Sequence, residues 1–332
     1  MWQIENQNLP STSVQLAVGF AVKDNTLLIY SHPEYQNHQV ADGHAECPER
    51  LSHLLAHWDK ISLSQDLNFV QPQAVSTDRL LAAHPKAHLD FIEQMSPLDG
   101  EAIVPLDPDT WLGPHSRNAA LLAAGALCSG VDAVLANEDT RVFCAVRPPG
   151  HHAEIDSAMG FCIFNSVAVG AMAALEHVDI NRVAILDFDV HHGNGSVDIF
   201  KDRPEVLVCS SFQHPYYPNR HADTQRTNIV NTPLEEGSNG NDFRRAIEKS
   251  WLPAIEQHKP DLIFVSAGFD AHQLDPLASL NLLEEDFIWV TNLITSAANQ
   301  YAKGRIISTL EGGYHLDALA RSATAHILAL AN

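Results

Sequence analysis

The chain alternates short apolar runs with longer amphipathic segments from about Leu27 to its C-terminus. A nearly continuous apolar run of roughly four to eight residues is typical of a strand that is covered on both faces. Strands that alternate with helices build a mostly parallel sheet flanked by helices. We therefore predict one α/β domain, and 332 residues are enough for a single large core.

The predicted elements follow one another without an internal repeat or a Gly/Ser linker. Strands are predicted at Leu27–Tyr30, Val142–Val146, Val183–Phe188, Val206–Phe212, Leu262–Ala267 and Arg305–Leu310. Helices are predicted at Glu49–Asp59, Thr77–Met95, Ser116–Ala136, Ser166–His177, Asp242–Gln257, Glu284–Ala302 and Leu316–Ala331. Residues 1–26 fit the pattern poorly, and we interpret them as an N-terminal extension before a domain at 27–332. The extension could add an edge strand or an oligomer contact, and the sequence favours neither.

The charge balance bears on the kind of partner. The chain has 41 Asp plus Glu and 20 Lys plus Arg, a formal charge of −21. Nucleic acids and anionic membranes attract basic surfaces, so neither is expected as a partner. There is no run of roughly 18 apolar residues, and Met1–Pro10 does not resemble a secretory signal. Five widely spaced cysteines without a C-x-x-C pair predict reduced thiols and a cytoplasmic location.

Polar residues follow four of the predicted strands directly. The segments are Arg147–Glu154, Asp187–Gly195, Ser266–His272 and Leu310–His315. Parallel α/β sheets bind ligands outside the carboxyl ends of their strands. These four segments therefore predict one shared site.

Asp189, His191 and Asp270 form the most specific set in these segments. In a strand-like D-x-H, residues i and i+2 point to the same side, so a carboxylate and an imidazole converge. A second Asp at another strand end completes three ligands with an open position, which is typical of catalytic zinc. The alternative is an ordinary buried Asp–His pair, and the further polar strand ends favour the metal.

The adjacent histidines His151 and His152 can take different roles, one as a general base and the other as an electrostatic stabiliser. This requires that their ring nitrogens have different hydrogen-bond partners. Asp187 and Asn194 are the candidate partners, since a carboxylate raises the basicity of an imidazole and an amide only orients it. Tyr314 offers a phenol that can donate to a polarised carbonyl. The alternatives are a polar loop for the histidines and a phenol packed against the sheet for Tyr314.

Seven motifs, in order along the chain, resemble zinc-dependent deacetylases of the histone deacetylase and acetylpolyamine amidohydrolase superfamily, in the form of class II-like bacterial members. They are GHAECPERL, LDPDTWLGPHS, RPPGHHAE, GFCIFNSVAVGA, DFDVHHGNG, SAGFDAHQLDPLASL and LEGGY. The resemblance implies the arginase/deacetylase fold with about eight mostly parallel strands, and it makes 27–332 a deacetylase catalytic domain. Asn194, where class I relatives have Asp, agrees with class II.

The resemblance also implies roles for individual residues. One zinc ion would be held by Asp189, His191 and Asp270. A structural potassium ion would be held by Asp187, Ser210, Ser211 and the main-chain oxygens of Asp189 and His191. His152 would be the general base and acid, with His151 as its electrostatic partner. Asp187 would sit behind His151 and Asn194 behind His152, on the side away from the substrate. Tyr314 would polarise the substrate carbonyl. The substrate would meet Gly160, Phe161, Tyr217 and Leu277, and Arg50 would lie near an acetate channel.

The expected reaction is hydrolysis of acetyl or other short acyl groups on N-acyl-lysine side chains or related amines. Leu277 stands where polyamine-selective relatives carry Glu, which favours lysine, so acetylpolyamine hydrolysis is the alternative. The acidic stretch from Asp90 to Asp109 is either a cation-attracting mouth or a solvated loop. More remote alternatives are a dimanganese ureohydrolase, against which Gly193 argues, and a non-catalytic acyl-ligand binding protein. A homo-oligomer is left open.

Overall fold

An eight-stranded parallel sheet forms the centre of the computed structural model, which describes residues 26–332. The ten strands are β1 (Thr26–Tyr30), β2 (Asn68–Val70), β3 (Val104–Pro105), β4 (Trp111–Leu112), β5 (Thr140–Cys144), β6 (Val183–Asp187), β7 (Val206–Gln213), β8 (Ile229–Leu234), β9 (Leu262–Ala267) and β10 (Ile306–Leu310). The sheet order is β2-β1-β5-β10-β9-β6-β7-β8, and β3 and β4 pair separately as an antiparallel hairpin. The single α/β domain with a parallel sheet is therefore confirmed.

Helices cover both faces of the sheet. The α-helices of the described chain are α1 (Glu49–Lys60), α2 (Thr77–Leu81), α3 (Lys86–Met95), α4 (Ser116–Ala136), α5 (Ser166–Leu175), α6 (Asn194–Phe200), α7 (Gly240–His258), α8 (Glu284–Tyr301) and α9 (Leu316–Ala331). On one face α4 packs against α5, β5 and β10. On the other, α7, α8, α9 and α1 pack in series. Every residue of the central strands β5, β6, β9 and β10 is buried, which explains their apolar sequences.

Helix α4 is long and apolar enough to cross a membrane by length and composition alone. It is instead packed inside the domain, with 61% of its most apolar window buried. Small residues such as Ala119, Ala123 and Ala126 are fully buried and let it approach its neighbours closely. Its apolar character is therefore that of a core helix.

One predicted helix is wrong. The pattern over Thr77–Met95 predicts a single helix, but α2 ends at Leu81 and α3 begins after Pro85. Proline has no backbone N–H to donate into a helix, so it is tolerated only at the start of one. Strands β2 and β8 and helix α6 were not predicted, because they are short or lie at the sheet edge, where the apolar pattern is weak. The proposed extension lies outside the described residues, apart from Thr26, which begins β1.

The topology brings the four polar segments together. They follow β5, β6, β9 and β10, which are neighbours in the order β5-β10-β9-β6. Because all four strands run in parallel, their carboxyl ends meet at one edge of the sheet. The candidate site lies there.

Candidate active site

Asp189, His191 and Asp270 converge at the carboxyl edge of β6 and β9. Nδ1 of His191 lies 3.1 Å from Oδ1 of Asp189 and 3.1 Å from Oδ2 of Asp270. All three side chains are buried, and their donor atoms lie within 4.8 Å of one another. Two ionised carboxylates and one neutral imidazole carry two negative charges, which a divalent cation balances. Zinc binds nitrogen and oxygen ligands of this kind. The donor set therefore fits a catalytic zinc ion.

The remaining carboxylate oxygens are held by the backbone. Gly312 N donates to Oδ2 of Asp189 at 2.8 Å, and Val190 N donates to Oδ1 of Asp270 at 3.0 Å. A Cβ atom at Gly312 would collide with both carboxylates, so only glycine lets this strand end approach them. Burial and the neighbouring Asp189 raise the pKa of Asp270 to about 7.

His151 and His152 lie beside this cluster with their ring centroids 4.0 Å apart. Nδ1 of His151 is 2.9 Å from Oδ2 of Asp187, and Nδ1 of His152 is 2.6 Å from Oδ1 of Asn194. Burial opposes protonation of His151, but Asp187 and Asp189 outweigh it and raise its pKa well above the ordinary value. Burial lowers the pKa of His152 well below its ordinary value, and the neighbouring imidazoles add to this effect. The pair can thus combine a cationic ring with a neutral one.

The loop that carries Tyr314 is held from two sides. Arg50 donates to the carbonyls of Gly313, at 2.7 Å, and Glu311, at 2.5 Å, and its guanidinium carbon lies 4.8 Å from the Tyr314 ring centroid. Oδ2 of Asp275 accepts from Tyr314 N at 2.7 Å. Burial raises the pKa of the Tyr314 phenol well above its ordinary value, so the phenol is protonated at neutral pH and can donate.

A narrow cavity of about 180 Å³ leads to these side chains. It is lined by Asp109, His152, Gly160, Phe161, His191, Tyr216, Tyr217, Leu277 and Tyr314. The Phe161 and Tyr314 rings are 5.7 Å apart, edge to face, and Tyr217 lies edge-on to His152 at 5.3 Å. Gly160 has φ of +57°, and a Cβ there would strike the His152 ring. All four substrate-contacting residues expected from the sequence thus line one cavity.

The residues expected at a potassium site lie beneath the cluster. Oγ of Ser211 is 3.5 Å from the carbonyl oxygen of Asp187, and Oγ of Ser210 accepts from Gly193 N at 3.1 Å. Both serines and Asp187 are buried. Oxygen donors of this kind suit a hard cation.

Sequence reasoning missed several residues that support the site. Oε2 of Glu311 accepts from Gly150 N at 2.6 Å and His151 N at 3.2 Å, so it joins the loops after β10 and β5. Glu46 is fully buried between Arg147, at 2.6 Å, and Arg50, at 3.1 Å. Glu46 and Glu311 both lie within motifs already singled out, and a charged residue directly after an apolar strand was the available signal for Glu311.

The acidic stretch contributes little to the cavity. Of its acidic residues only Asp109 lines the cavity wall, where its Oδ1 accepts from Gly160 N at 3.2 Å. Asp90 pairs instead with Lys86 at 2.6 Å on the surface. Asp99 lies 3.7 Å from His115, also at the surface. The structure therefore supports a solvated loop with one carboxylate at the mouth.

Three comparisons connect the chain to known proteins. A family model for the histone deacetylase domain matches residues 44–330. The chain is similar to a histone deacetylase-like amidohydrolase of Pseudomonas aeruginosa, with 37% identity over 282 residues that cover 83% of this chain and 73% of that protein. It is also similar to a probable deacetylase of Archaeoglobus fulgidus, with 32% identity over 297 residues, 87% of this chain and 81% of the relative. The crystal structure of the HDA15 HD domain matches with a TM-score of 0.85 and 29% identity, covering 92% of this chain and 90% of that one.

The family match covers all four polar segments and the cavity. Every strand of the main sheet except β1, the buried Asp–His–Asp cluster and the histidine pair lie within the matched residues 44–330. With its fold and its sequence both matched, the chain belongs to the histone deacetylase family of amidohydrolases.

Proposed function

We propose that the protein is a zinc-dependent deacetylase that removes acetyl or other short acyl groups from N-acyl-lysine side chains or related N-acyl amines. The observation that carries the proposal is the buried cluster of Asp189, His191 and Asp270, of which His191 lines a narrow cavity. His152 and Tyr314 line the same cavity. A bound zinc ion would supply Lewis acidity toward the acyl carbonyl and ease the deprotonation of water.

His152 acts as general base and then as general acid. Its ring is neutral, so it takes a proton from the attacking water and delivers it to the leaving amine. Asn194 orients the ring through Nδ1. His151, held by Asp187, contributes a neighbouring cationic ring that favours the negative charge developing on the acyl oxygen.

The cavity wall positions the amide. Tyr314 donates its phenolic proton to the acyl oxygen, where negative charge develops. The carbonyl of Gly160 accepts from the amide N–H, and Phe161 and Tyr217 flank the aliphatic carrier. Arg50 acts by holding the Tyr314 loop. A role for Arg50 at an acetate channel stays a prediction.

Two further assignments belong to the same proposal. A structural potassium ion would bind Asp187, Ser210, Ser211 and the main-chain oxygens of Asp189 and His191, since Oγ of Ser211 already faces the Asp187 carbonyl. The cytoplasmic location also stays a prediction, and the five cysteines are free thiols, as a reducing compartment requires.

The carrier of the acyl group is the least defined part. Leu277 lines the cavity and offers no charge for a second ammonium, which favours acyl-lysine. Asp109 lines the same cavity and can attract a cationic amine, which supports acetylpolyamine as the second candidate. The carboxylate lies at the mouth, where a peptide carrier also passes, so we place acyl-lysine first.

The test is a substrate panel with zinc-loaded protein. Acetyl-lysine peptides and N-acetylated polyamines are assayed side by side, and then again after chelation and after zinc is restored. We expect hydrolysis that is lost with the metal, a higher kcat/KM for acetyl-lysine, and one metal ion per chain. Full activity without metal would contradict zinc dependence, a strong polyamine preference would reverse the order of substrates, and two metals with guanidinium hydrolysis would favour a ureohydrolase.

A further inference from the structure

Glu154 is a buried acidic residue close to the histidine pair. It has no role in the mechanism described above. It lies two residues after His152, and its side chain is 4% exposed. Its Oε1 accepts from Nδ2 of Asn194 at 2.8 Å. Asn194 in turn has its Oδ1 2.6 Å from Nδ1 of His152. Glu154 therefore reaches the imidazole through a single amide group.

The amide of Asn194 has two different ends, and its orientation decides the protonation of His152. With Oδ1 toward the ring, Nδ1 of His152 must carry the hydrogen, which leaves Nε2 free to accept a proton. With the amide turned over, its NH₂ group would donate to Nδ1 and the hydrogen would move to Nε2. A ring with hydrogen on Nε2 cannot accept a proton there. The direction of one amide thus decides whether the base is functional.

A carboxylate can only accept hydrogen bonds, and Glu154 is the nearest of three acceptors that hold the NH₂ end of Asn194. The other two are the carbonyl oxygen of His152 and Sδ of Met159, each at 3.3 Å. Glu154 is fixed in turn from the far side, where Arg220 lies 2.7 Å from its Oε2 and His221 lies 3.3 Å from its Oε1. Asn219 and His221, on either side of Arg220, both adopt left-handed φ, at 55° and 58°.

The same cluster also has the residue types of a metal site. Donor atoms of Glu154, Asp198 and His221 lie within 4.8 Å of one another. However, Arg220 is 2.7 Å from Glu154, and Lys201 is 2.7 Å from Asp198. Two cationic side chains already balance the two carboxylates, so the cluster is complete as a hydrogen-bonded and ion-paired network.

We propose that Glu154 is a positioning residue that sets the amide of Asn194 and thereby keeps His152 in the tautomer with hydrogen on Nδ1. The proposal rests on the proposed function for the role of His152, but the tautomer itself can be measured without any turnover. The arrangement predicts that the unsubstituted protein has hydrogen on Nδ1 and a bare Nε2.

Glu154→Gln gives the sharpest test. Arg220 has only donors, so the oxygen of the introduced amide turns to Arg220 and its NH₂ group faces Asn194. Two NH₂ groups would then face each other where the 2.8 Å bond was, and this repulsion exceeds the longer contact of Asn194 with the His152 carbonyl at 3.3 Å. We therefore expect Asn194 to turn over and the hydrogen of His152 to move to Nε2. We expect kcat to fall about 10²-fold, since general-base catalysis contributes 10²- to 10⁴-fold, with a much smaller change in KM. In the double variant with Asn194→Asp, the new carboxylate can accept both from the amide introduced at position 154 and from the His152 ring. The hydrogen of His152 should then return to Nδ1.

The readout is the ¹⁵N chemical shifts of the His152 ring in protein labelled on histidine, with and without zinc. The resonances are assigned by their absence from a His152→Asn protein. Asp286→Asn is the matched control, because Asp286 is also 4% exposed and pairs with Arg244 at 2.7 Å, but it caps α8 away from the histidine pair. It should lower stability and leave the His152 tautomer unchanged.

Two results would overturn the proposal: an unsubstituted protein with hydrogen on Nε2, or a Glu154→Gln protein that keeps it on Nδ1. If Glu154→Gln does not fold, the tautomer of the unsubstituted protein decides, since hydrogen on Nε2 overturns the proposal. Failure of the proposed function has a different signature, since zinc-loaded protein would then hydrolyse no N-acyl amine while the tautomer measurement stands by itself.

Discussion

Tyr314 is the residue whose loss should separate chemistry from folding most cleanly. Its loop is fixed by Arg50 and Asp275 through main-chain atoms, so Tyr314→Phe leaves those contacts intact. Loss of a donor to a developing oxyanion typically costs roughly 10²- to 10³-fold in kcat, and we expect a loss of that size with little change in unfolding temperature. Steady-state kinetics measures it. Tyr301→Phe, at the half-exposed end of α8, is the control, and near-normal turnover by Tyr314→Phe would refute the assignment.

Arg50 should matter for stability as well as for activity. Arg50→Leu leaves the carbonyls of Gly313 and Glu311 without this donor and removes one of the two arginines that pair with Glu46. Removing one partner of a buried ion pair typically costs about 3–5 kcal/mol, so urea unfolding should show a loss of that order. Arg117→Leu, which removes an exposed pair at 3.9 Å, should cost less than about 1 kcal/mol. Equal losses in the two proteins would show that the Arg50 contacts contribute little.

Local spacing was enough to predict part of the site. Asp189 and His191 are two residues apart, and His151 and His152 are adjacent, so their proximity follows from the strand and turn conformation alone. Glu46 meets Arg147 across 101 residues, and Arg50 meets Gly313 across 263. Such pairs depend on how strands are ordered in the sheet, and no local pattern encodes that order. Asp270 was identified because its strand end resembles the others.

At the scale of elements, the buried central strands and the long helices could be predicted from the sequence. The strands at the edges of the sheet could not. Strands β5, β6, β9 and β10 are buried on both faces, so their apolar runs are unbroken. Strand β8 mixes buried, half-buried and exposed residues and contains the exposed Pro233, as an edge strand allows. Its weak pattern resembles a loop. The order of strands in the sheet followed only from the structure.

The turn after β10 gives a prediction about metal binding. In Gly312→Ala the new methyl group would collide with the Asp189 and Asp270 carboxylates and push them out of position. Changes next to metal ligands typically cost about 10- to 100-fold in affinity, and calorimetric titration with zinc should show this. Gly237→Ala is the control, since it has open space and strains only a positive φ of 82°. Unchanged zinc affinity in Gly312→Ala would argue against these ligands.

For the whole molecule, the dependence of stability on pH can be predicted from His326, a buried histidine that packs against Phe188 and Phe269. His326 bonds Thr291 and Ser308 at 2.7 and 2.8 Å, and burial lowers its pKa to about 3. Between about pH 3 and its ordinary value near 6.5, the unfolded chain binds a proton that the folded chain does not. The free energy of unfolding therefore falls as pH falls through this range, by about 2 kcal/mol from His326 at pH 5.

The measurement compares His326→Gln with the unsubstituted protein by urea unfolding at pH 7 and pH 5. His326→Gln cannot take up this proton, so it should lose less stability between the two pH values. Taking the difference between the proteins isolates His326 from the histidines of the active site. Parallel losses in the two proteins would contradict the lowered pKa of His326.

The segment from Tyr216 to His221 has a consequence for how such a protein can diversify. It carries the aromatic wall of the cavity in Tyr217 and, three residues later, the arginine that holds Glu154. Replacing this whole segment to admit a new acyl carrier would also replace Arg220, and the contact of Arg220 with Glu154 would change with it. In the proposed mechanism one segment influences both substrate selectivity and proton transfer, so we expect new substrate ranges to arise by point changes at Tyr217 more readily than by grafting the whole segment.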